Sequence, residues 1–516
     1  MAKASPPDQG TDLMRRPSEP TTLATKAVRG AVWSFATTLA VRLVSLLSLA
    51  VLTRLLVPEQ FGLMALGLVF LTYVETVGDL GTGAALIYWP KRRSDASEVT
   101  FWISLLTSLF WFGLTQAGAA ALALFFHAPQ AEPLIRVLAL CFPIRALGRT
   151  HDSLCQKDLR FKARLVPESA MYITKGIVAI GLAVAGMGVW SLIWGQLVGE
   201  ALRTISLWLV VPWRPSFTLP IDLVGPVLRY GRGIIAVNLL AAVLHHADLV
   251  VVGRRLGAQD LGLYQIAAKV PEITVALLIW GGAKVLFPTL SKVQHSPTQL
   301  RRFYLEALRW VAVLAMPATV GLFLLAKPLL VTFFGDAWLS AVPILRALAI
   351  YSGLRALGSH TGDVMKATGR SQLLAGLGVV KAFLLLPALV WASSFGAQAV
   401  AWSLTVVSAV GLGLNVWVVS HILGLRPRAL LNSLQTALPG TLATLVFLGI
   451  WIHISTGMPQ VVVLLGGVSV GLLLCLVTLR WSSPEHFHAA VEQLFHRDGS
   501  TVPGVVEAGI LRPEIP

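Results

Sequence analysis

Charged side chains are scarce in this sequence. Asp, Glu, Lys and Arg make up 13% of the 516 residues, whereas a typical soluble domain contains about 25%. Hydrophobic residues reach 55%, and the mean hydropathy is +0.74. A transmembrane helix needs about 20 mostly apolar residues, so the hydrophobic residues are enough for about fourteen such helices. The composition excludes a soluble globular domain and indicates that most of the chain lies in lipid.

Cysteines and catalytic motifs are also sparse. The only three cysteines are Cys141, Cys155 and Cys475, an odd number without metal-ligand spacing, which excludes a disulfide framework and a zinc site. The sequence contains no Gly-rich phosphate loop, no Ser/His/Asp set and no paired carboxylates in a soluble segment. We therefore expect no enzymatic activity, no metal and no cofactor.

Windows of about 19 residues locate the apolar segments. Residues 1–26 are rich in Pro, Ser, Thr and charge, and we interpret them as a disordered cytoplasmic tail. The sequence predicts an all-α polytopic membrane protein with fourteen spans at 31–53, 61–87, 99–125, 132–156, 165–186, 189–211, 226–253, 260–286, 305–326, 341–365, 373–393, 396–420, 431–451 and 459–480.

The loop charges predict the orientation. With the N-terminus inside, 26 Lys and Arg fall in cytoplasmic segments and helix ends, against four on the opposite face: Arg54, Arg254, Arg255 and Lys327. Cytoplasmic loops of membrane proteins are enriched in Lys and Arg. This bias places both termini in the cytoplasm and accounts for most of the net charge of +16 without nucleic acid.

Two internal matches predict the architecture. Residues 136–148 (RVLALCFPIRALG) align with 346–358 (RALAIYSGLRALG) at seven of thirteen positions, and Arg54, Leu56, Gly62 and Leu63 match Arg254, Leu256, Gly262 and Leu263. Both matches are six spans apart, which is typical of a parallel repeat about an axis along the membrane normal. We expect two six-helix lobes, at 27–211 and 226–420, joined by a cytoplasmic loop at 212–225. Two extra helices at 431–480 and a cytoplasmic tail at 481–516 follow.

Three stretches resemble a known family. They are residues 55–62 (LLVPEQFG) leading to 79–87 (DLGTGAALI); Arg160-Phe161 with Glu168, 186–190 (GMGVW), Gly195-Gln196 and 213–215 (WRP); and 248–253 (DLVVVG) with Leu256-Gly257 and 261–264 (LGLY). In order and spacing they resemble the Wzx-type oligosaccharide flippases of the polysaccharide-transporter branch of the multidrug/oligosaccharidyl-lipid/polysaccharide exporter superfamily. The likeness covers about residues 27–420 and is closest to the colanic-acid-exporter type.

This resemblance implies a function and a location. It implies two lobes around a central cavity that opens alternately to either side of the bacterial inner membrane. The implied substrate is an undecaprenyl-pyrophosphate-linked oligosaccharide, moved from the cytoplasmic to the periplasmic leaflet. The lipid bilayer is a partner, and a polysaccharide polymerase with its chain-length machinery is a candidate partner.

Ionisable residues remain within the predicted spans, where each costs about 2.5–3.5 kcal/mol at a helix centre. The bases are Arg42, Arg136, Arg145, Arg149, Lys175, Arg203, Lys269, Lys284, Arg346, Arg355 and Lys381, and the acids are Glu75, Asp79, Asp152, Glu168, Glu200, Asp248, Glu272 and Asp363. This excess of bases favours an anionic substrate.

We predict that six of the bases bind the pyrophosphate or an anionic glycan: Arg42, Arg145, Lys175, Lys269, Arg355 and Lys381. Arg145 and Arg355 occupy corresponding places in the repeat, and a diphosphate needs several cationic donors. The alternative is that both arginines lie near the cytoplasmic end and extend to lipid headgroups.

We predict that four acids serve cation coupling or gating: Glu75, Asp79, Asp248 and Glu272. Structural roles remain open, because Glu75 lies at the same depth as Arg42 and can form an ion pair with it. A static network of Lys175, Glu200 and Arg203 is equally consistent with the sequence. His245 and His246 can either relay protons or pack through hydrogen bonds.

Two other functions remain as alternatives. A multidrug/cation antiporter of the same superfamily would favour acidic and aromatic side chains for cationic substrates. A membrane glycan polymerase or ligase would need a sizeable extracytoplasmic loop with acid/base groups, and the longest predicted loop, 327–340, contains only Lys327 and Asp336 as charged residues.

Overall fold

A computed structural model describes residues 41, 43–88, 93–158, 160–218 and 220–482. These residues form helices joined by short turns, and no strand occurs among them, so the prediction of an all-α protein is confirmed. The helices are α1 (Leu43–Leu55), α2 (Pro58–Gly78), α3 (Thr82–Tyr88), α4 (Arg93–Phe125), α5 (Ala131–Leu138), α6 (Cys141–Lys157), α7 (Phe161–Val184), α8 (Val189–Val210), α9 (Ile221–Arg255), α10 (Gly257–Lys292), α11 (Pro297–Leu324), α12 (Ala326–Phe334), α13 (Val342–Gly358), α14 (Thr361–Ala367), α15 (Ser371–Ala392), α16 (Ala397–Leu423), α17 (Pro427–Gln435), α18 (Leu438–Ile454) and α19 (Gln460–Ser482).

Nine helical stretches in the described part of the chain are long and apolar enough to cross a membrane. Helices suit this environment because they satisfy their backbone hydrogen bonds internally, without water. The described residues of every predicted span fall largely within helices, but several spans are divided between two helices. The count of fourteen spans therefore stays a prediction.

The second predicted span, 61–87, is interrupted. Helix α2 ends at Gly78 and α3 begins at Thr82, with Leu80 and Gly81 at φ +46° and +66°. Gly231 of α9 lies against this break, because a Cβ atom at position 231 would come within 1.8 Å of the Leu80 carbonyl oxygen. The break thus leaves Asp79 at the C-terminal end of α2, directly before the residues that contact α9.

Two loop boundaries differ from the prediction. The stretch 327–340 was expected to be a loop, but it contains most of α12 and a short 3₁₀-helix at Asp336–Ala341. Its apolar sequence explains this, and Trp338 is fully buried. The connection between α8 and α9 is shorter than the predicted 212–225, since α9 begins at Ile221.

Packing brings the charged segments together. Helices α7 and α8 form an antiparallel hairpin, α6 packs against α8, and α2 lies against both α9 and α10. Helix α13 packs against α10, α11 and α16. One large apolar cluster runs through α2, α5, α10, α13 and α16, so the polar side chains described next are held by rigid, closely packed helices.

Candidate functional site

Arg145 lies at the centre of a charged network in the N-terminal half. From α6, its Nη1 atom lies 2.5 Å from Oε2 of Glu75 on α2, and its Nη2 atom lies 2.5 Å from Oε1 of Glu200 on α8. The Glu200 side chain is 3% exposed, and those of Arg145 and Glu75 are 22% and 20% exposed. Two carboxylates satisfy one guanidinium, so this arrangement ties three helices together.

Gln196 extends this network to Lys175. On α8, one turn before Glu200, Gln196 donates from Nε2 to Oε1 of Glu200 (3.0 Å) and accepts from Nζ of Lys175 on α7 (2.5 Å). The sequence leaves open a static network of Lys175, Glu200 and Arg203, and the structure places the buried amide of Gln196 between Lys175 and Glu200. We assigned no role to Gln196 from the sequence, although its spacing of four residues from Glu200 indicates a shared helix face.

Other predicted acids in this half also have basic partners. Asp79 lies 3.2 Å from Nη1 of Arg149. Asp152 lies 2.8 Å from Nε of Arg164 and 3.6 Å from Nη2 of Arg203. Arg203 thus pairs with Asp152 of α6, and Glu200 on its own helix pairs with Arg145.

The predicted pair of Arg42 and Glu75 has only one described member. Arg42 lies outside the described residues, so that pair stays a prediction. Glu75 directs one oxygen at Arg145, a partner that we did not predict.

Arg355 has a different environment from Arg145, its counterpart in the repeat. On α13, its guanidinium lies 6.0 Å from the ring centroid of Tyr351. Within the described ranges, no carboxylate comes within salt-bridge distance of Arg355. Lys381 on α15 lies close enough to Arg355 for electrostatic interaction, and its stem packs against Gly411.

The hydrogen-bond partners of Asp248 on α9 are neutral. Its Oδ2 accepts from the Tyr264 hydroxyl (2.9 Å), and its Oδ1 accepts from the backbone N–H of Leu249 (2.9 Å). Arg355 is near enough to act on it electrostatically. His245, on the same helix, lies within electrostatic range of both Arg355 and Lys381.

Lys269 and Glu272 form an ion pair on α10, with Nζ and Oε2 2.9 Å apart. Their side chains are 43% and 54% exposed. Lys269 is also an electrostatic neighbour of Lys175 on α7. Lys269, in the second half of the chain, therefore lies within electrostatic range of Lys175 in the first half.

The interior charges are unequally matched. Of the eight acids listed above, all except Asp248 lie within 4.0 Å of a basic side chain. Among the eleven listed bases, four have a described side chain with no salt bridge to a described carboxylate: Lys175, Arg346, Arg355 and Lys381. Because a charge is costly in a membrane, Lys175, Arg355 and Lys381 can bind an anionic ligand with little competition, whereas Arg346 already donates to the Phe323 carbonyl oxygen and lies over the Phe323 ring.

The chain matches a known sequence family. A profile of the family described as "Polysaccharide biosynthesis protein" matches residues 51–343. The succinoglycan biosynthesis transport protein ExoT of Rhizobium meliloti is 25% identical, over 89% of this chain and 94% of its own. The lipopolysaccharide biosynthesis protein WzxC of Escherichia coli is 28% identical, over 82% of this chain and 87% of its own.

The fold also matches a solved transporter. The lipid II flippase MurJ, in an inward closed conformation, superposes with a TM-score of 0.73 at 14% identity, over 88% of this chain and 99% of that one. At this identity the likeness shows the fold alone. The matches and the apolar helices establish a multi-pass membrane protein of a transporter type, not an enzyme.

Proposed function

Because the chain belongs to the polysaccharide biosynthesis protein family, we propose that it flips undecaprenyl-pyrophosphate-linked oligosaccharides from the cytoplasmic to the periplasmic leaflet of the bacterial inner membrane. The product serves the synthesis of exopolysaccharide, capsule or O-antigen. The glycan and diphosphate cannot cross about 30 Å of hydrocarbon unassisted, whereas the polyprenyl tail can remain in lipid.

Two cations without a carboxylate partner carry this proposal. Arg355 and Lys381 are electrostatic neighbours in the C-terminal half, and no carboxylate in the described part of the chain lies within 4.0 Å of either one. A guanidinium presents a planar fork of donors that suits phosphate oxygens, and an ammonium adds a second charge. We assign the diphosphate to this pair, with Lys175 and Lys269 as further cations.

Arg145 is the least available of the predicted substrate cations, since Glu75 and Glu200 already occupy its guanidinium. We assign it the structural task of joining α2, α6 and α8. Arg42 stays a predicted contact that the described residues do not cover.

The proposed architecture is two lobes of six spans each, 27–211 and 226–420, around a central cavity, with fourteen transmembrane spans in all and both termini cytoplasmic. Supporting this, Lys175 of the first lobe and Lys269 of the second interact electrostatically, as two walls of one polar cavity would. Rocking of one lobe against the other would expose the cavity alternately.

We further propose that transport is coupled to a cation gradient at Asp248. Glu75, Asp79 and Glu272 are engaged by Arg145, Arg149 and Lys269 respectively. Asp248 has only neutral hydrogen-bond partners, so it can take up H⁺ or Na⁺ without first breaking a salt bridge.

The test is made on lipid extracts from a host that lacks this protein. We expect undecaprenyl-diphosphate oligosaccharide to accumulate facing the cytoplasm and the restored wild-type chain to clear it. Arg355→Gln should fail to clear it, while Arg346→Gln, a matched change on the same helix, should succeed because Arg346 packs on Phe323 instead. Normal lipid combined with reduced export of a cationic compound would show a drug antiporter instead.

A further inference from the structure

The four bases on the sparsely charged face include a repeat-related pair. Arg54 and Arg254 lie 200 residues apart, at the ends of α1 and α9. The positive-inside bias leaves these outer arginines unexplained, and their contacts show a common feature. Each reaches across to the opposite half of the chain.

The first arginine reaches into the C-terminal half. Nη2 of Arg54 donates to the carbonyl oxygen of Thr332 on α12 at 2.5 Å. Beside it, the indole N–H of the buried Trp338 donates to the carbonyl oxygen of Thr53 (3.1 Å), and its ring packs edge-on against Phe61. The end of α1 is therefore attached to the segment around α12.

The second arginine reaches into the N-terminal half. Nη1 of Arg254 lies 2.6 Å from Nδ1 of His127, in the turn after α4. Its guanidinium also stacks over the Phe125 ring, 4.7 Å from the centroid. The end of α9 is thus attached to the turn between α4 and α5. This turn comes just before α5, and the segment with Thr332 comes before α13, which contains the matching part of the repeat.

Between the two arginines, α2 and α10 touch through a reciprocal backbone contact. A Cβ atom at Gly62 would lie 1.6 Å from the Ala258 carbonyl oxygen, and a Cβ atom at Gly262 would lie 1.9 Å from the Pro58 carbonyl oxygen. The pairs 62/262 and 58/258 are again 200 residues apart. A contact that maps onto itself under the repeat is expected on a two-fold axis.

The polar pair Lys269 and Glu272 lies directly inward of this contact. Lys269 is seven residues beyond Gly262 on α10, so it shares that helix face and lies about 10 Å deeper. The contact therefore separates the outer surface from the exposed Lys269 side chain.

We propose that these contacts form an outer latch, made of Arg54 with Thr332, Arg254 with His127, and the Gly62/Gly262 crossing, which must open to release the glycan. The inference rests on the proposed flippase function for its purpose, but the latch itself can be tested without substrate. Both arginines form hydrogen bonds to groups in the opposite half of the chain. A movement that separates the two halves therefore breaks both hydrogen bonds at once.

The test measures access to position 269 from outside. Lys269→Cys is labelled with a membrane-impermeant maleimide in spheroplasts, which keep an intact inner membrane with its outer face accessible. The modified peptide is quantified by mass spectrometry. We expect slow labelling in this background and at least tenfold faster labelling when Gly62→Ala or Arg254→Ala is added. Gly62→Ala forces α2 away from α10, and Arg254→Ala removes one bond.

Gly181→Ala is the matched control, because a Cβ atom there would meet nothing within 4 Å, and it should leave the slow rate unchanged. Equal labelling rates in all four proteins would overturn the latch. So would fast labelling without any added change, since the outer side would then be open already.

A second measurement covers the case in which Gly62→Ala does not fold. His127→Cys and Arg254→Cys are combined and joined by a reducible bismaleimide. Clearance of the lipid-linked oligosaccharide should stop on cross-linking and return on reduction, and undiminished clearance by the cross-linked protein would refute the latch. If the lipid substrate itself proves wrong, the labelling result at position 269 still decides the latch.

Discussion

Arg145 and Arg355 occupy matching positions in a repeated segment, yet their surroundings are opposite. Arg145 lies between two carboxylates, Glu75 and Glu200, and Arg355 lies over the ring of Tyr351 beside another cation, Lys381. The same residue therefore stabilises the packing of one half and leaves a positive charge available in the other. A shared sequence position does not imply a shared role, because the neighbouring helices determine the electrostatics.

The difference originates in the sequence of the neighbouring helices. Helix α8 supplies Glu200, whereas α16, its counterpart in the repeat, has no Asp or Glu between Ala397 and Leu423. Glu75 of α2 corresponds to Val275 of α10 at the 200-residue shift. The C-terminal half therefore has no acid at the positions that correspond to Glu75 and Glu200.

Glu200→Leu should have the largest effect on this comparison. Removing the carboxylate leaves Arg145 less compensated within the packed helices, and breaking a buried pair costs about 3–5 kcal/mol. We expect a clear loss of folded protein, measured by the monodisperse fraction and thermal midpoint after detergent purification. Glu168→Gln, which weakens a more exposed pair with Arg164, should leave both values nearly unchanged, and an equally stable Glu200→Leu would contradict the structural role.

Arg355→Gln should instead spare folding and remove transport. Losing a charge-assisted hydrogen bond to a phosphate costs about 1.5–3 kcal/mol, which corresponds to about 10–150-fold in affinity. Transport is measured as clearance of the lipid-linked oligosaccharide at matched protein level, at subsaturating substrate. If Arg355→Gln lowered protein yield as Glu200→Leu does, the distinction between the two halves would be lost.

Asp248→Asn should abolish the response to the cation gradient while leaving some downhill flipping. The amide keeps the size of the side chain and its contact with Tyr264, but it cannot exchange a cation. Flipping in proteoliposomes with and without imposed H⁺ and Na⁺ gradients provides the measurement, with Asp260→Asn on α10 as control. A mutant that still responds fully to either gradient would exclude Asp248 as the coupling site.

Gln196→Leu should have the smallest effect of the four. It removes two hydrogen bonds that link Lys175 to Glu200, each with one charged partner, while the attraction between the opposite charges of Lys175 and Glu200 remains. We expect about a fivefold loss of clearance, with partial rescue by Gln196→Asn. An effect as large as that of Arg355→Gln would mean that Lys175 depends on this amide for its position.

Much of the fold could be predicted from the sequence. Apolar segments long enough to span a membrane predict where the helices lie, because backbone groups in lipid must form their hydrogen bonds within the helix. The repeat was also readable, because Arg54 and Gly62 recur at Arg254 and Gly262 with the same spacing. The break at Leu80 and Gly81 was not readable, since it depends on the close approach of Gly231 from a helix 150 residues further along.

The sequence by itself determined which charges the interior holds and that bases outnumber acids there. Only the tertiary structure decided how they pair: Glu75 meets Arg145, Arg203 meets Asp152, and Gln196 stands between Lys175 and Glu200. The depth of a residue along its helix follows from counting residues. Which partner its side chain meets depends on the helix that packs against that face, and the sequence does not give this packing. Pairing energies fall steeply with distance, so the packing of the helices selects which charges are neutralised and which stay available.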